Sequence, residues 1–286
     1  MSQRQRTIVT EFGDFALLPA GEFRMGCDIP YTTMSGSARR EHTHARHVHP
    51  VRITTGFAML STPLTCGAIS NFVRDCPGLF SALSFRFKTY SYPEGDYALG
   101  DDIEHPAKTS EEVQLGAYLC AAANRDLPVH GANWWIADAF CAYASQKLGR
   151  MVRLPTEAEW EYACRAGTHT VYYFGNDTSQ VIEHAWCCAN SGIEPKPVGH
   201  FTPNPWGLYD IVGNVWEWCA DGYSTTFYER SPLEDPQCVR SDKGAKVIRG
   251  GSSLNKAETC RSSHRYGLPP AVGDRFLGFR PVLELS

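Results

Sequence analysis

Apolar and polar residues alternate from Asp14 to Met25 around the turn Pro19-Ala20-Gly21, until Gly26 breaks the run, and this predicts two short strands. Val51 to Met59 repeats the alternation. Thr65 then stands where an N-cap belongs, ahead of Ile69, Phe72 and Val73 at the i, i+3, i+4 spacing of a buried helical face. Asn133 opens a second predicted helix, with Ile136, Phe140 and Tyr143 on one face and a stop at Gly149. The third helix has a fuller signature. Thr156 and Glu159 fit a capping box, acids fill the first turn, Trp160, Ala163 and Cys164 face one way, and Gly167 ends it. Beyond Gly167 the chain is rich in Gly, Pro, Asn and aromatics, which predicts irregular loops pinned by small strands, including Lys246 to Arg249 and Gly278 to Leu283.

Between Arg74 and about His130 the texture differs. Turn-rich stretches dominate, and one helix is predicted from about Glu111 to Ala123 after Ser110. This reads as a long surface excursion, at about 74–130, from a single domain spanning 1–286; such loops are usually functional or mobile.

Composition supports one large core, since 43% of the 286 residues are hydrophobic and no linker interrupts them. A formal charge of −4 and a pI near 6.2 argue against nucleic acid or an anionic membrane as the main partner, because either requires a clustered basic surface. The first residues have no apolar stretch of signal-peptide length, and no segment approaches the roughly 18 apolar residues of a membrane span, so the expected location is the cytoplasm. Eleven cysteines in a reducing compartment are then expected to be buried small hydrophobes. No C-x2-C pair marks structural zinc, and the adjacent Cys187 and Cys188 are poorly placed to share a disulfide or a metal.

Three motifs occur in order: Arg-Leu-Pro-Thr-Glu-Ala-Glu-Trp-Glu-Tyr-Ala at 153–163, Asn-Pro-Trp-Gly-Leu-Tyr-Asp-Ile-Val-Gly-Asn-Val-Trp-Glu-Trp at 204–218, and Arg-Gly-Gly-Ser at 249–252 with Gly-Phe-Arg at 278–280. With Leu-Pro-Ala-Gly-Glu-Phe-Arg-Met-Gly at 18–26, this set resembles the formylglycine-generating-enzyme, or sulfatase-modifying-factor, family. The resemblance implies an α+β fold of the irregular C-type-lectin-like kind. It does not fix the function, because the family also contains binding and accessory proteins.

Oxidases of that family hold copper(I) between two thiolates five positions apart in the loop after Gly-Gly-Ser. Here the ungapped match places Cys260 as the second ligand and Asn255 in place of the first. An amide oxygen is a poor ligand for this soft ion, so copper is disfavoured. His264 beside Cys260 is a second candidate ligand, against the plainer reading of a solvated or hydrogen-bonded histidine. By the same resemblance Asp210, Gly213, Val215 and Glu217 match one of the family's calcium sites, an all-oxygen set suited to a hard cation. The alternative is that Asp210 and Glu217 brace the turn while Trp206, Trp216 and Trp218 fill core. Of the second calcium site only Asn190 remains. His42, His44, His47 and His49 cluster in sequence, but His49-Pro-Val matches an ordinary strand start.

Two functions from different classes follow. One is a non-catalytic protein-binding member, such as an immunity protein that neutralises a secreted bacterial toxin delivered by a type VI secretion system. An acidic surface would complement a basic toxin or nuclease. Glu94, Asp96, Asp101, Asp102, Glu104, Glu111 and Glu112 in the excursion supply such charge, or merely solvate the loop. The other is a divergent oxidase or maturation enzyme, in which Cys260, Ser252, Trp216 and Arg265 would line the cleft and Cys260 could act alone as a redox thiol. The missing cysteine favours binding.

Overall fold

The computed structural model describes residues 6–28, 45, 47–84, 87–91, 108–113, 115–241 and 243–285. The N-terminal alternation forms β1 (Thr7–Thr10), β2 (Gly13–Leu18) and β3 (Gly21–Met25), and the second alternating run forms β4 (His49–Ile53) and β5 (Phe57–Leu60). The turn at 19–21 moves the chain between sheets. β2 stays in a five-stranded sheet, while β3 pairs with β4 as a separate ribbon.

The five-stranded sheet runs β1-β2-β5-β13-β8, with β8 at Val152–Arg153 and β13 at Val282–Glu284, and all its neighbours are antiparallel. Apart from the edge strand β1 and the start of β2, its side chains are largely buried on both faces, so the period of two sorts them into separate clusters. Phe15, Ala58, Leu60 and Leu283 join one cluster; Ala16, Leu18, Phe57, Met59 and Val282 join the other. The first cluster is covered by α1 (Cys66–Asp75), α2 (Pro77–Leu83), α3 (Leu115–Cys120) and α4 (Trp134–Leu148), and the second by α5 (Glu157–Arg165).

The predicted caps form. The Thr65 side chain accepts from the Ala68 amide at 3.2 Å and Asn133 Oδ1 from the Ile136 amide at 2.9 Å, while Gly149 closes α4 in the left-handed region. At α5 the Thr156 hydroxyl accepts from the Glu159 amide and Glu159 Oε2 accepts from the Thr156 amide, completing the box. The helix ends one residue earlier than predicted, on a left-handed Ala166.

A four-stranded sheet, β11-β10-β9-β12, lies beside the first, with β9 at Trp216–Gly222, β10 at Lys246–Arg249, β11 at Arg265–Leu268 and β12 at Leu277–Phe279. β12 runs parallel to β9 and the other pairs are antiparallel. The single strand predicted over 278–283 is thus two. Residues 277–279 belong to this sheet and 282–284 to the other, with Arg280 and Pro281 crossing between them.

The excursion needs correction where it is described. Residues 108–113 form β7 (Lys108–Val113), paired with β6 (Phe87–Ser91), so Ser110 lies inside a strand and the predicted helix from Glu111 starts only at Leu115. Cross-strand hydrogen bonding satisfies this backbone and overrides its local helix preference. Phe80, Leu115 and Leu119 are core residues rather than surface ones. Glu111 and Glu112 lie on β7, whereas Glu94, Asp96, Asp101, Asp102 and Glu104, like His42 and His44, fall outside the described residues. The eleven cysteines are free, and eight of them are buried. Among the described residues no helix is long and apolar enough to cross a membrane.

Candidate functional site

The three motif segments meet around α5, which is buried along its whole length, acids included. Glu157 is fully desolvated and takes a two-point contact from Arg265, Nε to Oε1 at 2.6 Å and Nη2 to Oε2 at 2.7 Å; the Tyr228 hydroxyl adds 3.0 Å to Oε1. Burial raises the Glu157 carboxyl, but Arg265 and Arg249 more than offset this and hold it below its usual range. Glu161 receives the Arg165 Nε at 2.8 Å and the Gly26 amide at 2.9 Å on one oxygen, and an Arg249 ion pair on the other. Arg249 continues outward. Its Nη1 donates to the carbonyls of Ser263 (3.0 Å) and His264 (2.8 Å), and its Nη2 to that of Ser262 (3.0 Å), fixing the strand entry after Cys260.

Beside this network, Gly250 and Gly251 (φ 96° and 73°) swing the chain away from β10. A Cβ at Gly251 would lie 2.9 Å from the Cys260 sulfur, so glycine is required for the loop to fold down onto that thiol. The Ser252 hydroxyl donates to Asn255 Oδ1 at 2.7 Å, which occupies the side chain standing where a thiolate was sought. Cys260 ends a 3-10 turn, Ala257–Cys260, and is fully buried; desolvation, then the neighbouring Cys187 and Cys188, push its thiol well above the usual range.

That neighbourhood is tertiary. The Cys188 amide donates to the Asn255 carbonyl at 3.0 Å and the Ser191 hydroxyl to the Ser253 carbonyl at 2.8 Å, so the turn at 186–191 docks on the loop at 252–255. No local sequence signal connects Cys187 and Cys188 to Cys260.

The other predicted cleft residues are buried too. Trp216 packs its ring 5.5 Å from that of His264, and its Nε1 has no hydrogen-bond partner among the described residues. His264 itself is 1% exposed, so it is a core histidine rather than a solvated one. Arg265 faces Glu157 and the rings of Tyr223 and Tyr228, not an open cleft. The four residues are buried but do not form one cleft: Trp216 belongs to the first core cluster and Cys260 to the second, while Ser252 and Cys260 share one loop.

The oxygen set divides. Asp210, in the left-handed region at φ 49°, accepts from the Gly199 amide at 2.7 Å through Oδ2; its buried Oδ1 has no partner among the described residues, and burial raises its pKa. Gly213 (φ 76°) is obligatory, because a Cβ there would lie 2.4 Å from the Trp186 carbonyl oxygen. Glu217 is engaged on both oxygens, by Arg280 at 3.0–3.2 Å and by Trp160 Nε1 at 2.7 Å. His49 donates through Nδ1 to the His47 carbonyl at 2.9 Å and packs on Tyr228, and among the described residues no three His, Cys, Asp or Glu side chains converge on a metal position.

Comparison with known proteins agrees with this architecture. The family model of the sulfatase-modifying factor enzyme 1-like domain matches residues 2–285. The formylglycine-generating enzyme of Mus musculus is 30% identical over 92% of this chain and 73% of its own length. The inactive C-alpha-formylglycine-generating enzyme 2 of Bos taurus is 33% identical over 92% of this chain and 85% of its own. Among solved structures, PvdO from Pseudomonas aeruginosa superposes with a TM-score of 0.76 at 22% identity over the whole of both chains, a likeness of fold alone.

Proposed function

The chain belongs to the sulfatase-modifying factor enzyme 1-like family, and from that premise we propose that it is a non-catalytic, protein-binding member, of the kind that neutralises a basic toxin in the cytoplasm. The observation that carries this reading is the Gly-Gly-Ser loop, where Asn255 is hydrogen-bonded to Ser252 and the one thiol, Cys260, is sealed. Those residues do not fit the family's copper(I) ion, which requires two soft thiolates in this loop, so no step is routed through copper. The bovine relative named as inactive, at 33% identity, stands beside the mouse relative named as a formylglycine-generating enzyme, at 30%, so identity of this degree is compatible with lost chemistry. The net charge of −4 favours a basic partner.

A second reading, a divergent oxidase or maturation enzyme, is favoured by one observation: Cys187 shares a buried cluster with Cys260, and the Cys188 amide docks on the Asn255 carbonyl of the same loop. For calcium, Asp210 Oδ1 and the carbonyls of Gly213 and Val215 are the donors we retain; Glu217 enters only in competition with Arg280.

Anaerobic copper(I) titration against a competing chelator, on wild type and Cys260→Ala, separates the first two readings. No stoichiometric binding, together with inhibition of a purified basic nuclease toxin, is the expected result. Tight one-to-one binding that disappears in Cys260→Ala would overturn it in favour of the oxidase.

A further inference from the structure

Away from the Gly-Gly-Ser loop, a cleft of about 550 Å³ opens between the start of β5, α4, β8, β10 and the end of β13. Among the described residues one primary amine lines it, Lys246, the first residue of β10. That strand is paired on both sides, which sets the Lys246 backbone opposite Leu268 of β11 and Gly222 of β9. The far end of the side chain is held too. Its Nζ donates to the Ala220 carbonyl at 2.7 Å and lies 4.0 Å over the Trp134 ring, which is fixed in turn by its Nε1 donating to the Cys219 carbonyl at 2.9 Å. An amine pinned at both ends keeps one position at the cleft, whereas a surface lysine samples many.

Its partner in proton exchange stands in the same cleft. Asp138 lies one helical turn beyond Trp134 on α4, close enough for each group to feel the other's charge. Burial lowers the Lys246 pKa, against the charges of Asp221, Asp138 and Cys238. Partial burial shifts the Asp138 carboxyl the other way, upward, against Lys246. The Trp134 face steadies the ammonium at rest, and Asp138 is the acid placed to take its proton when a reaction partner enters.

We propose that Lys246 is a modification site, at which an uncharged, hydroxyl-bearing aldehyde condenses with the amine to form a Schiff base while Asp138 relays the proton. Lys246 gives one proton to the Asp138 carboxylate, and the freed Nζ lone pair bonds to the carbonyl carbon as the C=O π pair moves to oxygen. A second nitrogen proton and the one held by Asp138 then leave with that oxygen as water. The nitrogen lone pair closes a protonated C=N bond, with no net oxidation or reduction. The lining acids Asp138, Glu159, Asp235 and Glu284 against the bases Arg153 and Lys246 give four minus two, or −2, which disfavours a phosphorylated or carboxylated aldehyde. The exposed Thr55 and Gln237 offer hydrogen bonds to hydroxyl groups. The inference goes beyond the functional reading above and does not depend on it.

The test treats the whole protein with glycolaldehyde and cyanoborohydride near neutral pH, with glyoxylate as the anionic control, and maps the trapped lysines by mass spectrometry. Lys246 is expected to be trapped about tenfold faster than the exposed Lys243, a preference that shrinks with glyoxylate and vanishes in urea. Asp138→Asn, shown to be folded by circular dichroism, slows trapping at Lys246 about tenfold and leaves Lys243 unchanged, while Asp138→Glu retains the rate. Loss of charge alone would lower the Lys246 pKa further and speed the reaction, so slowing isolates the proton relay. Trapping at Lys246 no faster than at Lys243, a larger preference with glyoxylate, or an undiminished rate in folded Asp138→Asn overturns the proposal.

Discussion

Glu217 and Arg280 lie 63 positions apart and close on each other without solvent, the guanidinium placing Nε and Nη2 within 3.2 Å of the carboxylate while its other hydrogens reach the carbonyls of Leu60, Ser61 and Tyr209. This pair joins the residue after β12 to β9, and so ties both sheets to the 204–218 turn. Breaking one side leaves a buried charge without a partner. Arg280→Met is expected to cost about 3–5 kcal/mol, read by urea unfolding, with part of the loss recovered when Glu217→Leu is added. A loss below about 1 kcal/mol for the single variant would show that water reaches the pair.

Cysteine labelling gives a second prediction. Cys120 is exposed and Cys260 is not, so iodoacetamide on the native protein should modify Cys120 first and reach Cys260 only when the protein unfolds. Native-state modification of Cys260 ahead of Cys120 would mean that the loop opens and that the redox-thiol reading gains ground.

The third prediction concerns pH. Asp221 is buried beside Glu157, and burial first, then that neighbour, raises its carboxyl from 3.8 to about 7. A raised acid binds its proton more tightly folded than unfolded. Its contribution is therefore complete below the unfolded value of 3.8 and is lost as pH rises toward about 7. Stability of wild type minus that of Asp221→Asn should fall across that window; a flat difference would show that Asp221 is ionised throughout.

Calcium supplies the fourth. If Asp210 Oδ1 is a ligand, saturating calcium raises the melting temperature of the wild type, by about 2.7 kcal/mol of stability at a hundredfold excess over Kd, and leaves Asp210→Ala unchanged. Equal melting curves for wild type with and without calcium would assign the turn a bracing role only.

Local signals carried the helices. Thr65, Asn133 and Thr156 announce their helices because a cap is a contact between residues three apart, and such contacts are written in adjacent sequence. The acids of α5 were legible as first-turn residues, but their real partners, Arg249 and Arg265, lie 88 and 108 positions downstream, beyond any periodicity. A separation of 73 and 72 positions likewise hides Cys187 and Cys188 from Cys260. β9 was missed because Trp216-Glu217-Trp218-Cys219 is buried continuously and shows no alternation. The resemblance identified the fold through residues such as Glu161, Arg249, Glu217 and Arg280, which build the scaffold; that is why it did not settle the chemistry.

The central position of β13 between β5 and β8 has a consequence for synthesis. Met59, Ala58 and Phe57 leave the ribosome early, yet their partners on one side are Val282, Leu283 and Glu284. Until those residues are translated, β5 carries an open edge with every side chain buried in the finished protein, a sticky surface for another nascent chain. The sheet therefore closes late, and a stop codon just before Val282 would leave its two halves with nothing between them.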